Sequence, residues 1–372
     1  MKRLLNIIQC TNLGGMEKAS LSLMQGLQEQ QVMPSLISLH PLGQLASQIT
    51  AAGIHARGIH YRGPFGVRSI PDYRRIMKAE LKDIDWLLMT GHNLAGMLAL
   101  ASVKHHCPAV LALHFHHKGV KPLFMWKAIY LLANRTFRWI TFPSHFIRDE
   151  ACAIAPWISR KARVIRCPVA ERPMRTATDK AAARKRMELA DGVPVIGAAG
   201  WLIPRKRFDI VIQCLQRLRK NHTDIQLLIA GDGPEREGLQ SLAEQCGVAK
   251  HIRWLGWIPC MDDFYQSLDV TLFTSDWDAM GMIALESMAV GVPVVASVKQ
   301  GGLGEIITNE QHGYLYNNHS IDALAGALHE LIDNPALCES VGRGGYERVR
   351  ALHNTGRISG EYIQLFETAT HE

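Results

Sequence analysis

The chain has 372 residues, 47% apolar and 20% charged, a composition that excludes a disordered protein and suits two domains of ordinary size. No stretch approaches the ~20 apolar residues of a membrane-spanning helix. The eight cysteines stand at no metal-ligand spacing, which points to a reducing compartment, the cytoplasm. The net charge of +7 is one-sided: residues 1–170 carry 21 Lys/Arg against 8 Asp/Glu (+13), and residues 171–372 carry 20 against 26 (−6). A basic first half suits an anionic membrane surface, a phosphorylated acceptor or nucleic acid.

The opening MKRLLNIIQC has too short and too interrupted an apolar run for a signal peptide and predicts a first β-strand. It leads into TNLGGMEKASLSLMQGL, where Gly14-Gly15 precede an amphipathic helix, a turn that lets backbone approach a phosphate. SLISL, WLLMT, AVLALH and WITFP supply further strands, and helical stretches between them predict βα units around a parallel sheet. His92, in TGHNLAG, lies at a strand end and is a candidate for lining an acceptor pocket. His114, His116 and His117 cluster after AVLAL. Neighbouring residues on a strand point to opposite faces and no carboxylate or cysteine stands at motif spacing, so no metal is expected there. From Lys118 to Trp139 five cations and no acid interleave with Phe124, Trp126, Tyr130, Phe137 and Trp139. That pattern describes either a helix on an anionic membrane interface or a buried helix with charged ends.

Residues 170–192, polar and charged, read as a linker followed by the first helix of a second domain. VPVIGAAG, IQLLIAG, IRWLGW, VTLFTS and VPVVAS then supply a second set of strands. Arg205 and Lys206 occupy the turn after the first of these, where cations can stabilise a departing phosphate. In SDWDAMGMIALESMAVGVPVVAS, Asp278 follows a strand, Gly281-Met282-Ile283 open a helix, and Glu286 lies eight residues beyond Asp278. Helix-start amides attract a diphosphate and flanking carboxylates accept hydrogen bonds from sugar hydroxyls. No strand leads into a Gly-x-Gly-x-x-Gly turn, which disfavours a dinucleotide oxidoreductase, and no nucleic-acid module accompanies the basic charge.

This second stretch resembles the signature of retaining glycosyltransferases of the large family four (glycosyltransferases group 1), an acidic residue followed after seven residues by Glu. The segments around Arg205-Lys206, Gly231-Asp232-Gly233-Pro234, Gly301-Gly302 through Glu305 and Gly14-Gly15 resemble other parts of the same family. Asp278 stands where Glu is usual, and Trp201 where many members carry an Arg. The resemblance implies a GT-B fold, α/β, with two facing Rossmann-like doubly wound domains and a cleft between them. Residues 1–172 would bind acceptor, residues 173–355 would bind nucleotide-sugar, and a C-terminal helix over 356–372 would pack back toward the first domain. It further implies catalytic roles for His114, Arg205, Lys206 and Asp278. The implied donor contacts are Gly14, Gly15, Arg205, Lys206, the backbone at Trp257 and Ile258 (nucleobase), Asp278, Gly281, Met282, Ile283 and Glu286 (ribose). His92, His116 and His117 are assigned to the acceptor.

The expected reaction is transfer of a sugar from a nucleotide-diphosphate sugar, UDP-sugar before GDP-sugar. The acceptor is a saccharide or lipid-linked saccharide of a bacterial-type envelope polysaccharide or lipopolysaccharide. Transfer would retain the anomeric configuration, with no metal and no cofactor. Asp276-Trp277-Asp278 imitates an Asp-x-Asp metal motif only because it overlaps this signature. The alternatives are a nucleotide-sugar epimerase of the same fold and a non-catalytic nucleotide-sugar-binding protein. The expected location is cytoplasmic, with the basic half peripheral on the inner membrane.

Overall fold

The computed structural model describes residues 1–370 apart from 13, 61, 63, 116 and 118–120. The chain forms two compact units, residues 1–168 with 353–372, and residues 169–352.

The first unit is built from β1 (Lys2–Ile8), α1 (Gly15–Glu29), β2 (Val32–Ser38), α2 (Ala46–Ala51), β3 (His55–Gly58), α3 (Ile70–Glu80), β4 (Trp86–Thr90), α4 (Leu94–Ala101), β5 (Ala109–Ala112), α5 (Leu123–Thr136), β6 (Trp139–Phe142), α6 (His145–Ile154) and β7 (Ala162–Val164). Its strands make one parallel sheet in the order β3-β2-β1-β4-β5-β6-β7. Leu4, Leu5, Ile7 and Ile8 are all buried, as a central parallel strand covered on both faces requires. Asn6, in the same strand, is also buried, but it donates to Ser20 Oγ at 2.7 Å and accepts from Thr90 Oγ1 at 3.1 Å. Those bonds remove the penalty of a buried polar group and tie β1 to α1 and β4.

The second unit contains α7 (Ala177–Arg186), β8 (Val195–Ala199), α8 (Phe208–Leu218), β9 (Gln226–Ala230), α9 (Arg236–Gln245), β10 (Ile252–Gly256), α10 (Asp262–Ser267), β11 (Val270–Asp278), α11 (Met282–Met288), β12 (Val294–Gly301), β13 (Tyr314–Tyr316), α12 (Ile321–Asp333) and α13 (Pro335–His353). Its parallel sheet runs β10-β9-β8-β11-β12-β13. The region expected as linker plus helix becomes α7, started by a reciprocal capping box between Thr176 and Asp179. Arg184 and Lys180 on this helix reach Asp269 at 2.6 and 2.5 Å, which fastens it beneath the sheet.

The last helix, α14 (Thr355–Thr370), belongs to the first unit. Phe366 stacks on Trp86 at 5.2 Å, and Tyr362 shares a 3.1 Å hydrogen bond with Thr141. A Cβ on Gly26 would come within 2.4 Å of Ser359 Oγ, so glycine is what allows α1 and α14 to cross so closely. Among the described residues no helix is long and apolar enough to cross a membrane.

Candidate functional site

In each sheet the strand order reverses once, between β1 and β4 and between β8 and β11. Loops leaving the carboxyl ends of strands at such a reversal diverge and leave a crevice, the usual ligand position in doubly wound sheets. Several candidate residues fall there, while His114 follows β5 and Trp257-Ile258 follow the edge strand β10. Gly14-Gly15 follow β1 and His92 follows β4; Arg205-Lys206 follow β8 and Asp278 ends β11.

In the second unit a short turn at Pro204–Lys206 is held against β11 by polar side chains of that strand. Thr274 Oγ1 donates to the Lys206 carbonyl at 2.9 Å, and Ser275 Oγ donates to the Arg205 carbonyl at 3.2 Å. Lys206 Nζ is thereby brought into a hydrogen-bonded ion pair with Asp278 Oδ2. Arg205 Nη1 stands 4.0 Å from the same oxygen, donates to the Trp277 carbonyl at 3.3 Å and lies over the Trp277 ring at 4.2 Å. The other carboxylate oxygen of Asp278 accepts the Gly281 amide at 2.8 Å. Burial pushes the Asp278 pKa up, but Lys206, the Gly281 amide and Arg205 together outweigh it and hold the carboxyl below its ordinary range.

Gly281 has φ 76° and ψ 53°, a left-handed conformation that glycine adopts without strain. Gly301, paired in register with Asp278, has φ 153°, and a Cβ there would meet the Asp278 carbonyl oxygen at 2.0 Å. Met282 and Ile283 form the half-buried first turn of α11. Glu286, one turn further, accepts a 2.7 Å hydrogen bond from the buried Tyr265 hydroxyl. Trp257 is 44% exposed and packs edge-to-face with Trp201, itself 57% exposed, at 6.2 Å; Ile258 beside them is half-buried. Two large exposed aromatics in contact at one sheet edge are a feature that no local sequence pattern announces, because the tryptophans are 56 positions apart in the chain. A cavity of about 790 Å³ in this unit lies instead around Arg175, Lys180 and Arg184, at the opposite edge of the sheet, where Asp269 and backbone carbonyls already satisfy the cations.

In the first unit Gly14 is the N-cap of α1 and Gly15 its first residue. The Glu17 carboxylate folds back beside Gly14 and accepts from Cys10 Sγ at 3.4 Å, and burial raises its pKa. Glu17 was not singled out in the sequence; an acid in the first turn of a helix is ordinarily only a dipole partner. His114, half-buried, sits 3.3 Å from Cys167 Sγ, and burial lowers its pKa to about 4. His92 packs edge-on against Phe115 at 4.4 Å and against Trp126 at 5.3 Å. Burial, with Lys121 and His117 adding to it, lowers its pKa to about 4 as well. Both imidazoles are therefore neutral at pH 7.

His117 faces inward. Its Nδ1 meets Glu150 Oε2 at 2.6 Å, its Nε2 meets the Tyr130 hydroxyl, and its carbonyl accepts from Trp126 Nε1 at 3.1 Å. Both ring nitrogens are occupied within the core, so in this arrangement the residue presents no polar ring atom to an acceptor. His116 lies outside the described residues. Of the aromatics between residues 118 and 139, Trp126, Tyr130 and Phe137 are core; Phe124 is 72% exposed, with Leu123 and Leu131 also exposed.

Comparisons with known proteins bear on the family and the fold. A profile of the glycosyl transferases group 1 matches residues 179–348, and one of glycosyltransferase family 4 matches residues 13–171. The lipopolysaccharide core biosynthesis glycosyltransferase LpsD of Rhizobium meliloti is 29% identical over 178 residues, 48% of this chain and 50% of that protein. A GDP-mannose-dependent alpha-(1-6)-phosphatidylinositol monomannoside mannosyltransferase of Mycolicibacterium smegmatis is 31% identical over 219 residues, 55% of this chain and 56% of that protein. The chain thus spans about half the length of the curated relatives it matches. The crystal structure of Anabaena HepE with UDP and glucose superposes with a TM-score of 0.85 at 17% identity, covering 99% of this chain and 100% of that one. The lipopolysaccharide outer core galactosyltransferase WaaB superposes at 0.71, also at 17% identity, covering 98% and 99%. With two adjoining family profiles along its length and the GT-B fold of these structures, the chain belongs to the family-four, group 1 type of glycosyltransferases.

Proposed function

We propose that the protein transfers a sugar from a nucleotide-diphosphate sugar, UDP-sugar in first place and GDP-sugar next, to a saccharide or lipid-linked saccharide of a cell-envelope glycan. The observation that carries this reading is the meeting of Lys206, Arg205 and Asp278 at the strand-order reversal of the second sheet. Two cations against one carboxylate leave this group of three with one positive charge, suited to the diphosphate whose charge grows as the sugar departs. Relatives whose names and titles mention lipopolysaccharide core, GDP-mannose, and UDP with glucose support the substrate class.

In this mechanism Lys206 and Arg205 neutralise the leaving diphosphate. The backbone at Gly281, Met282 and Ile283 approaches its oxygens, as does the Gly14-Gly15 turn of the first unit. Glu286, oriented by Tyr265, accepts the ribose hydroxyls, and the nucleobase rests at Trp257 and Ile258. Asp278 and neutral His114 position the transferred sugar, and His92 lines the acceptor pocket. The leaving phosphate takes the acceptor's proton on the same face, so configuration is retained with no covalent enzyme nucleophile, no metal and no cofactor.

The test is nucleotide release from a panel of UDP-, GDP-, ADP- and dTDP-sugars, with a saccharide acceptor set, for wild type and Lys206→Ala. One donor turned over by wild type and not by the variant is the expected result. Turnover unaffected by chelator and an anomeric NMR signal of unchanged configuration test the remaining claims. Epimerised donor with no nucleotide released would favour the epimerase, and tight binding without turnover the non-catalytic protein.

The exposed Leu123, Phe124 and Leu131 of α5, beside Lys121, Lys127 and Arg135, favour a cytoplasmic protein whose first unit rests on an anionic membrane and takes its acceptor there.

A further inference from the structure

The second unit carries a cluster that the transferase reading does not use. His222 lies in the turn after α8, its amide donating to the Leu218 carbonyl at 3.0 Å. His329 and Asp333 stand one helical turn apart in the last part of α12. His222 Nε2 is 2.9 Å from His329 Nδ1 and 3.5 Å from Asp333 Oδ1, and His329 Nδ1 is 3.2 Å from Asp333 Oδ2. We propose that His222, His329 and Asp333 form a binding site for a zinc-class divalent transition-metal ion that clips the ends of α8 and α12 together.

Shape, chemistry and support by the surrounding helices favour a metal here. With zinc–nitrogen and zinc–oxygen bonds of about 2.0–2.2 Å in a tetrahedron, ligand atoms stand roughly 3.3 Å apart. The two nitrogens stand 2.9 Å apart, and the Asp333 carboxylate approaches His222 Nε2 through Oδ1 at 3.5 Å and His329 Nδ1 through Oδ2 at 3.2 Å, so rotation of the carboxylate lets one ion reach all three side chains. A fourth position stays open to water, since Asp333 is 53% and His329 41% exposed at the side chain.

Two imidazoles and one carboxylate suit zinc, and the same donors take nickel or cobalt; an all-oxygen set for calcium or magnesium is absent from this triad. Leu215 and Leu218 of α8 pack in one buried cluster with Leu324, Leu328 and Leu331 of α12, so the helices that carry the ligands are fixed to each other by apolar burial. Both helices also end at the cluster, and the partial negative charge of two C-termini favours a cation there.

The position separates this site from transfer chemistry. Helices α8 and α12 return antiparallel to the strands before them, which places their C-terminal ends at the amino-terminal edge of the sheet. Arg205, Lys206 and Asp278 occupy the carboxyl edge, roughly 16 Å away by the length of a five-residue strand. The site is structural: its occupancy reinforces the second unit and leaves sugar transfer alone.

The experiment uses untagged full-length chain in a Cys260→Ser background, which removes an exposed thiol that could bind metal. Zinc is titrated against a chromophoric competitor, and cobalt uptake is followed by visible absorption. The expected result is one ion per chain, the strong visible bands of four-coordinate cobalt, and affinity reduced by more than about 100-fold in His222→Ala and in His329→Ala, beyond the roughly 10–100-fold that outer partners of metal sites typically cost. Asp333→Asn, at a half-exposed helix end, serves as a third variant that keeps the fold, checked by circular dichroism. The proposal is overturned if wild type takes up no zinc, or if all three variants bind it as wild type does.

Discussion

The carboxyl edges of the two sheets handle buried titratable groups in opposite ways. In the second unit the carboxylate of Asp278 stays charged because Lys206, Arg205 and the Gly281 amide answer it. In the first, His92 and His114 are kept neutral because burial penalises their charged forms and, among the described residues, no carboxylate pairs with them. In the proposed reaction the edge of the second unit would meet anions that gain charge, and that of the first would meet neutral hydroxyl-rich groups recognised by hydrogen bonds. The division matches the donor and acceptor roles proposed for the halves.

The largest effect that would break this contrast is expected from Lys206→Ala. It removes the principal cation, and turnover should fall by about 10²–10³. It also strands a buried carboxylate, so unfolding of the second unit should cost about 3–5 kcal/mol less; calorimetry beside a nucleotide-release assay separates the two. Intact turnover in this variant would remove the assigned phosphate site. Glu286→Ala comes next: donor binding measured by titration calorimetry should weaken by about 1.5–3 kcal/mol, the worth of a charge-assisted hydrogen bond.

A pH experiment sharpens the other side. The folded-state pKa of His114 and of His92 is about 4, below the unfolded value near 6.5. Below 6.5 the unfolded chain therefore binds more protons than the folded one. The stability these groups confer is complete above pH 6.5 and is lost as pH falls toward 4. Unfolding midpoints measured from pH 7 to 4 should decline, and His114→Asn should flatten the decline. An identical slope in the variant would remove His114 as its source. The smallest effect is expected from Phe124→Ser, which should reduce sedimentation with anionic vesicles while leaving release from a soluble donor within about twofold, because an exposed side chain contributes little to stability.

Most of the architecture was legible from the sequence, and its gaps have a common cause. The strands that alternate with amphipathic helices were readable because each is a buried apolar run. The edge strands β3 (His55–Gly58), β7 (Ala162–Val164) and β13 (Tyr314–Tyr316) were not, since three or four half-covered residues carry too little pattern. In the same way the Arg205-Lys206 turn and the Asp278-to-Glu286 spacing stood out as local motifs. What they touch did not. Lys206 meets Asp278 across 72 residues, Tyr265 meets Glu286 across 21, and His117 is drawn into the core by Glu150 across 33. His117 reads as part of an accessible run until the partners that bury it are known.

The return of α14 to the first unit has a consequence for biosynthesis. Residues 169–352 are continuous, so that unit has its whole sequence before the last helix is made. The first unit, whose residues 1–168 are made before the second, still lacks Tyr362 and Phe366, the partners of Thr141 and Trp86, until residues 355–370 emerge. A premature stop or a bulky fusion near residue 360 should therefore damage the amino-terminal half rather than its sequence neighbour. Limited proteolysis of such a product would release an intact second unit from a degraded first.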